Sequence, residues 1–317
     1  MSSPLPHAAR FRLACFEFSL TFTQAADLPV YKGAIVHGAL GLALARIGTQ
    51  FRDFFYQPTA PAHWQDAHKS PPRPYLIIPP ADDKTHYAAG DSLSLGIVLF
   101  GTAIDYFMVV FAALAHLGEL MGLGQQRSRF YIDRISQLGA LGQQPLYQHP
   151  HWLASPLALT AEQLLTNLPP APTAIQLKHS TRLRLKADNE LLNTAPPFAL
   201  LMHRLLSRLN ALASLYNGGI LITPEQKHQL LILAEHIHTE HSTLTWHDWQ
   251  RHSQRSHSTM PFGGLMGSTV YSGELAPFIP YLVLGQWVGI GGKTSFGLGL
   301  YELAEWSPHA TANTEDN

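Results

Sequence analysis

Residues 289–299 read GIGGKTSFGLG, and Gly289, Gly291, Gly297 and Gly299 fit the pattern G-h-G-x5-G-h-G, in which h is apolar. Glycine admits positive φ and lets backbone N–H groups approach a phosphate closely. With Gly292, Lys293, Thr294 and Ser295 between its glycines, the stretch is a candidate phosphate cradle, Lys293 supplying a charge and Thr294 a hydroxyl donor. A plain glycine-rich turn between a helix and a strand has the same composition, so the pattern alone leaves both readings open. The run Gly292-Lys293-Thr294 imitates the end of a Walker A loop. That motif needs a glycine five positions before Gly292, where Trp287 stands, and it needs a strand before and a helix after, the reverse of the order here.

Working outward, ELAPFIPYLVLGQW before the loop reads as a helix and LGLYEL after it as a strand. STVYSG and AIQLKHSTRLRLK read as further strands, with helical segments at about 197–215 and 223–239 between them. This half fits a ferredoxin-like domain with an insertion between its first helix and its next strand. Toward the N-terminus, FRLACFEFSLTF alternates as a strand does, and apolar spacing predicts a helix over 34–47, stopped by Gly48. Residues 49–73 read as a long loop. YLIIPP and SLSLGIVLFG read as two strands joined by a polar loop with Asp82, Asp83 and Lys84, followed by a helix over 103–121 and a strand in RSRFYIDRIS. The order strand, helix, strand, strand, helix, strand is again ferredoxin-like. The proline-rich passage 145–172 is the natural boundary. It gives an α+β protein of two tandem ferredoxin-like domains: 1–146, a linker at 147–172, 173–305, and a tail at 306–317 expected to be unfolded.

With 317 residues, 46% of them hydrophobic, the chain can bury two cores. No apolar run is expected to reach the roughly 18 residues of a membrane span, and the N-terminus lacks a signal-peptide pattern, so a cytoplasmic location is expected. Cys15 is the only cysteine, which excludes an internal disulfide and a cysteine-based zinc site. The net charge of −1 does not announce a nucleic-acid binder. Phosphate contact needs only one basic face, however, and KHSTRLRLK carries Lys178, Arg182, Arg184 and Lys186 with no acid. Period-2 spacing places Arg182, Arg184 and Lys186 on one strand face. That face is either an RNA contact or an edge charged against aggregation.

The segment MPFGGLMGSTVYSGELAPFIPYLVLGQWVGIGGKTSFGLGLYEL resembles the C-terminal signature of the CRISPR-associated repeat-processing endoribonucleases of the RAMP superfamily. LPVYKGAIVHGALGLALAR resembles their N-terminal strand-to-helix region, and STRLRLK the strand that opens their second domain. The resemblance implies a metal-independent, cofactor-free endoribonuclease that binds and cleaves CRISPR repeat RNA. In that chemistry a 2′-hydroxyl attacks the adjacent phosphate, leaving 2′,3′-cyclic phosphate and 5′-hydroxyl ends. It also implies crRNA and other CRISPR-associated proteins of an effector or adaptation complex as partners. The superfamily contains non-catalytic RNA-binding subunits too, which is the alternative reading.

Such cleavage needs a base for the 2′-hydroxyl, an acid for the leaving oxygen and positive charge at the phosphorane. Histidine suits either proton role near neutral pH. His37, at the start of the first helix among Gly33, Gly38 and Gly41, matches the place where the family often carries its histidine. Tyr31 and Lys32 just upstream are candidates to orient the 2′-hydroxyl and steady the phosphorane, or else merely end a strand. In TWHDWQRHSQRSHSTM, Arg251, Ser253 and Arg255 resemble an S-x-R element of RNA-contacting relatives. The interspersed Trp246 and Trp249 stack on bases or, more simply, anchor the loop to the core. His247, Asp248 and His252 follow no recognised zinc spacing, and no HExxH occurs.

Overall fold

A computed structural model of the chain describes residues 5, 7–59, 70–139, 142–252 and 259–304, with backbone alone at 250–252 and 259–261. The first domain is built on β1 (Arg12–Phe22), followed by α1 (Gly33–Ile47), α2 (Thr49–Tyr56), β2 (Tyr75–Ile78) and β3 (Ser92–Phe100). A helical run whose centre is α3 (Phe107–His116) then leads to β4 (Phe130–Gly139) and β5 (Gly142–Gln148). The sheet order is β2-β3-β1-β4, antiparallel throughout, which is the ferredoxin-like arrangement the sequence predicts. β5 extends the sheet beyond β4, and Leu159–Thr160 pairs with Arg12 and Leu13. Part of the proline-rich passage therefore lies on the first sheet.

β1 shows why the two domains pack. Ala14, Phe16, Phe18, Leu20 and Phe22 share a core with Val36, Leu40 and Leu44 of α1 and Val110 and Leu114 of α3. Leu13 and Cys15 point to the opposite face. There, with Leu76, Val98 and Phe100, they join the core formed by the second domain. The helical run Gly101–Met121 is, by length and composition, apolar enough to cross a membrane, contrary to the expectation that no such run exists. Its inner face, including Phe107, Val110, Ala113, Leu114 and Leu117, is buried in the first core, with the Phe107 ring 4.2 Å from that of Phe16.

The second domain contains β6 (Ala174–Leu183), α4 (Phe198–Tyr216), α5 (Pro224–Ala234), β7 (His238–Ser242), β8 (Gly264–Ser272), α6 (Ile279–Val288) and β9 (Tyr301–Ala304). Its sheet order, β7-β8-β6-β9, repeats the ferredoxin-like pattern, with α5 as the inserted helix. Two expectations about elements fail. Residues 49–73 are not all loop, because α2 forms directly after Gly48 and buries Phe55. The helix read over 223–239 stops at Ala234, and His238 and His241 lie on β7 instead. β7 is exposed along almost its whole length and held by backbone pairing to β8, so no apolar alternation marks it.

Between α6 and β9 the chain closes the glycine loop. Gly289, Gly291, Gly297 and Gly299 have φ of 69°, 87°, 87° and 75°, so the spaced pattern marks four left-handed backbone positions. Ile290 N–H donates to Gly299 O at 2.8 Å across the neck of the loop. Gly292 N–H donates to Arg184 O at 2.9 Å and Gly299 N–H to Arg182 O at 3.0 Å, fastening the loop to the chain that leaves β6. Those two amides are thereby committed to the fold.

A Cβ at Gly299 would overlap the Ile290 carbonyl oxygen, whereas one at Gly292 would find no heavy atom nearer than 3.8 Å. The left-handed backbone alone costs an L-residue about 1–2 kcal/mol. Gly299→Ala should therefore lower Tm by at least about 4 °C while Gly292→Ala leaves it within about 1 °C; equal Tm values for the two would show that the loop is not held as described. His179, on β6, supplies a second expectation. It is 3% exposed, neither ring nitrogen finds a partner among the described residues, and burial lowers its pKa to about 4. The folded protein keeps this ring neutral while the unfolded chain protonates it below about pH 6.5. Its effect on stability is thus absent above pH 6.5 and grows as a loss as pH falls toward 4. Between pH 7.5 and 5, wild type should lose more Tm than His179→Leu; parallel losses would contradict this.

Candidate functional site

The tip of the glycine loop, the 3-10 turn Thr294–Phe296, enters the junction between the domains. Tyr31 Oη donates to Phe296 O at 2.7 Å, and a Cβ at Gly33 would overlap that same oxygen, so glycine there permits the close approach. His37, one turn further along α1, lies beneath this tip. Its ring is 3.6 Å, centroid to centroid, from the Phe296 ring and 4.8 Å from Tyr56. His37 Nδ1 is 3.2 Å from Ser295 O and 2.8 Å from Tyr75 Oη. Both contacts fall on Nδ1: carrying the proton it donates to Ser295 O, and without it it accepts from Tyr75 Oη. Burial holds the Tyr75 phenol well above its usual pKa, so it stays neutral beside the imidazole. The His37 residue is 4% exposed.

Arg73, just before β2, is the functional candidate that sequence reasoning missed, because nothing in the segment 49–73 marks one arginine for the site. Its Nη1 donates to Ser295 Oγ at 2.9 Å and its Nε to Tyr56 O at 3.3 Å. The guanidinium carbon lies 5.4 Å from the Tyr56 ring centroid and 6.0 Å from that of Phe296. Ser295 therefore touches both His37 and Arg73, one through its carbonyl and one through its hydroxyl.

The other expected residues are distributed differently. Lys32 is fully buried, and its Nζ donates to Asp82 O at 3.0 Å and Asp82 Oδ1 at 3.1 Å. Burial raises the Asp82 pKa, but the Lys32 hydrogen bond, the Lys84 amide and the two lysine charges outweigh that and leave it below its usual value. The Lys32 charge is thus spent on the Asp82 turn. Lys293 adopts the left-handed conformation and places Nζ 4.0 Å from the Phe262 ring centroid, and Thr294 and Ser295 are buried. Arg182, Arg184 and Lys186 do not form a row on one strand face. β6 ends at Leu183 after a register shift, so the strand's two-residue period does not run on through Arg184 and Lys186. Arg182 covers Tyr31 and Trp249 at 5.6 and 5.8 Å from their ring centroids, with burial lowering its pKa. Arg184 is buried and donates to Gly263 O, while Lys186 is exposed and donates to Asn189. Lys178 is exposed on β6, but Glu302 stands opposite it in the β9 register, so an acid does neighbour this stretch. Trp249 packs on Tyr31 and Phe262, each at 5.1 Å, as an anchor does, and Trp246 Nε1 donates to Asp248. Ser253 and Arg255, together with the side chain of Arg251, lie outside the described residues.

Residues 171–301 match the family model of the CRISPR-associated endoribonuclease Cas6, and residues 11–159 match a model described as an N-terminal domain. No curated protein matches the chain by sequence. Among solved structures, a chain of a partial Cas6-RT-Cas1–Cas2 complex is 19% identical with a TM-score of 0.64, covering 97% of this chain and 48% of its own length. The fuller Cas6-RT-Cas1–Cas2 complex has the same score, with 30% of its chain covered. This chain thus spans less than half the length of those two. A Cas6 product complex is 16% identical with a TM-score of 0.58, covering 92% of this chain and 98% of its own. The sequence of the second domain thus resembles the CRISPR-associated endoribonuclease Cas6, and the whole chain shares the fold of solved Cas6 structures.

Proposed function

We propose that the protein binds and cleaves the repeat of a CRISPR precursor RNA, and that it does so without a metal ion. The observation that carries this reading is the meeting, at one junction, of His37 from the first domain with the glycine loop of the second. The match of residues 171–301 to the endoribonuclease model supports RNA as substrate. In the proposed step the 2′-oxygen loses its proton to a base and bonds to phosphorus. The bond from phosphorus to the 5′-oxygen breaks, and that oxygen takes up a proton. The ends are a 2′,3′-cyclic phosphate and a 5′-hydroxyl, and no water is consumed. The His37 imidazole performs one of the two proton transfers. Tyr31 serves by holding the loop tip through Phe296 O rather than by meeting the 2′-hydroxyl. Other CRISPR-associated proteins, such as those joined to the Cas6 portion in the first structures above, are the proposed partners.

One observation favours a second reading, that of an RNA-binding subunit: His37 is 4% exposed and covered by Phe296. Under the cleavage reading Phe296 swings off the imidazole when RNA enters. Single-turnover reactions with labelled repeat RNA in EDTA separate the two. Wild type should give discrete cyclic-phosphate ends, and His37→Ala should cut at least about a hundredfold more slowly with little change in affinity. Loss of wild-type activity in EDTA, restored by magnesium, would refute the metal-free mechanism. Tight binding with no cleavage by wild type would establish the subunit.

A further inference from the structure

We infer that Arg73 is the cation that contacts the scissile phosphate, a catalytic role that deepens the cleavage reading and rests on it. The step builds negative charge on the non-bridging oxygens, so a positive group aimed at them, and not already neutralised, is worth a large rate factor. Five cationic side chains approach the junction, and their environments sort them. Lys293 lies over Phe262, with Nζ 4.0 Å from its ring centroid and 6.0 Å from that of Phe296. Lys32 is fully buried and paired with Asp82. Arg184 is buried with its guanidinium bonded to Gly263 O. Arg182 lies over Tyr31 and Trp249, neither of which is an aromatic neighbour of His37. Arg73 alone shares a residue with His37, through Ser295, and shares its two aromatic neighbours, Tyr56 and Phe296.

Three features suit Arg73 to meet a phosphate. It is half-buried, so one side of the guanidinium is held while part of the side chain remains accessible. No ion pair among the described residues involves it, so its charge is not cancelled as that of Lys32 is. Its backbone is pinned on both sides. Pro72 and Pro74 flank it; Tyr216 Oη donates to Pro72 O at 2.8 Å, and Phe100 N–H donates to Pro74 O at 2.9 Å. Proline fixes φ, and the two bonds fix the carbonyls, so the guanidinium is preorganised before RNA arrives. The five N–H donors of arginine exceed the two used by Ser295 and Tyr56, which leaves donors for a bidentate phosphate contact.

The test is chemical rescue under single-turnover conditions. Arg73→Ala should slow cleavage by about 10²- to 10³-fold with Tm near that of wild type. Millimolar guanidinium should restore at least tenfold of that loss, because the free ion can occupy the vacated site, and it should do nothing for His37→Ala. Arg73→Lys should fall between wild type and Arg73→Ala, since it keeps the charge and loses the fork. A slow Arg73→Ala protein with lowered Tm and no rescue would make Arg73 a structural residue and overturn the inference. Cleavage by Arg73→Ala within about threefold of wild type would overturn it as well, leaving the cleavage reading intact. If wild type binds repeat RNA and never cuts it, the reading itself fails and the role of Arg73 with it.

Discussion

Everything at the junction depends on one closure, the hydrogen bond from Ile290 N–H to Gly299 O. That bond forces the ten residues from Ile290 to Gly299 into a compact knot, and the glycines at its neck tolerate the left-handed backbone this requires. The knot is fastened to the end of β6 through Arg182 O and Arg184 O. Its tip projects toward α1. Ser295 O meets His37, Phe296 O meets Tyr31, and Ser295 Oγ meets Arg73. A loop belonging to the second domain thereby sets the environment of a histidine in the first.

The same closure covers the histidine it positions. The Phe296–His37 stack is worth on the order of 0.5–1.5 kcal/mol. Phe296 also packs edge-on against Phe262 at 5.1 Å, so moving its ring off the imidazole costs about 1–3 kcal/mol in aromatic contacts. A nanomolar RNA complex has about 12 kcal/mol of binding free energy. Displacement of one aromatic ring is therefore a small charge against binding, and burial of His37 in the unliganded protein is compatible with proton transfer in the complex.

Both ferredoxin-like patterns were legible because their buried strands alternate or run apolar and their long helices carry apolar stripes. The glycine spacing was legible because four left-handed positions leave a sequence trace that few side chains can replace. β7 was not legible, since an exposed edge strand held by backbone bonds carries no apolar signature. α2 was hidden because its eight residues bury only Phe55. The expected basic row failed for a different reason: the register shift after His179 breaks the two-residue period of the strand. In the site, a histidine at the start of a glycine-flanked helix could be singled out from residue type and position. Arg73 could not, because its placement beside His37 depends on contacts with Ser295, which is 222 positions away in sequence.

The central claim is that one RNA site is assembled from both domains around the loop tip. Photo-crosslinking tests it most directly, with a repeat RNA made uncleavable by a 2′-deoxy sugar and carrying a photoreactive base beside the scissile phosphate. The account predicts crosslinked peptides from both sides of the junction, the segment holding Tyr31 and His37 or that holding Tyr56 and Arg73 together with the segment holding Phe296. Crosslinks confined to one domain, or to the exposed strand around Lys178, would contradict it.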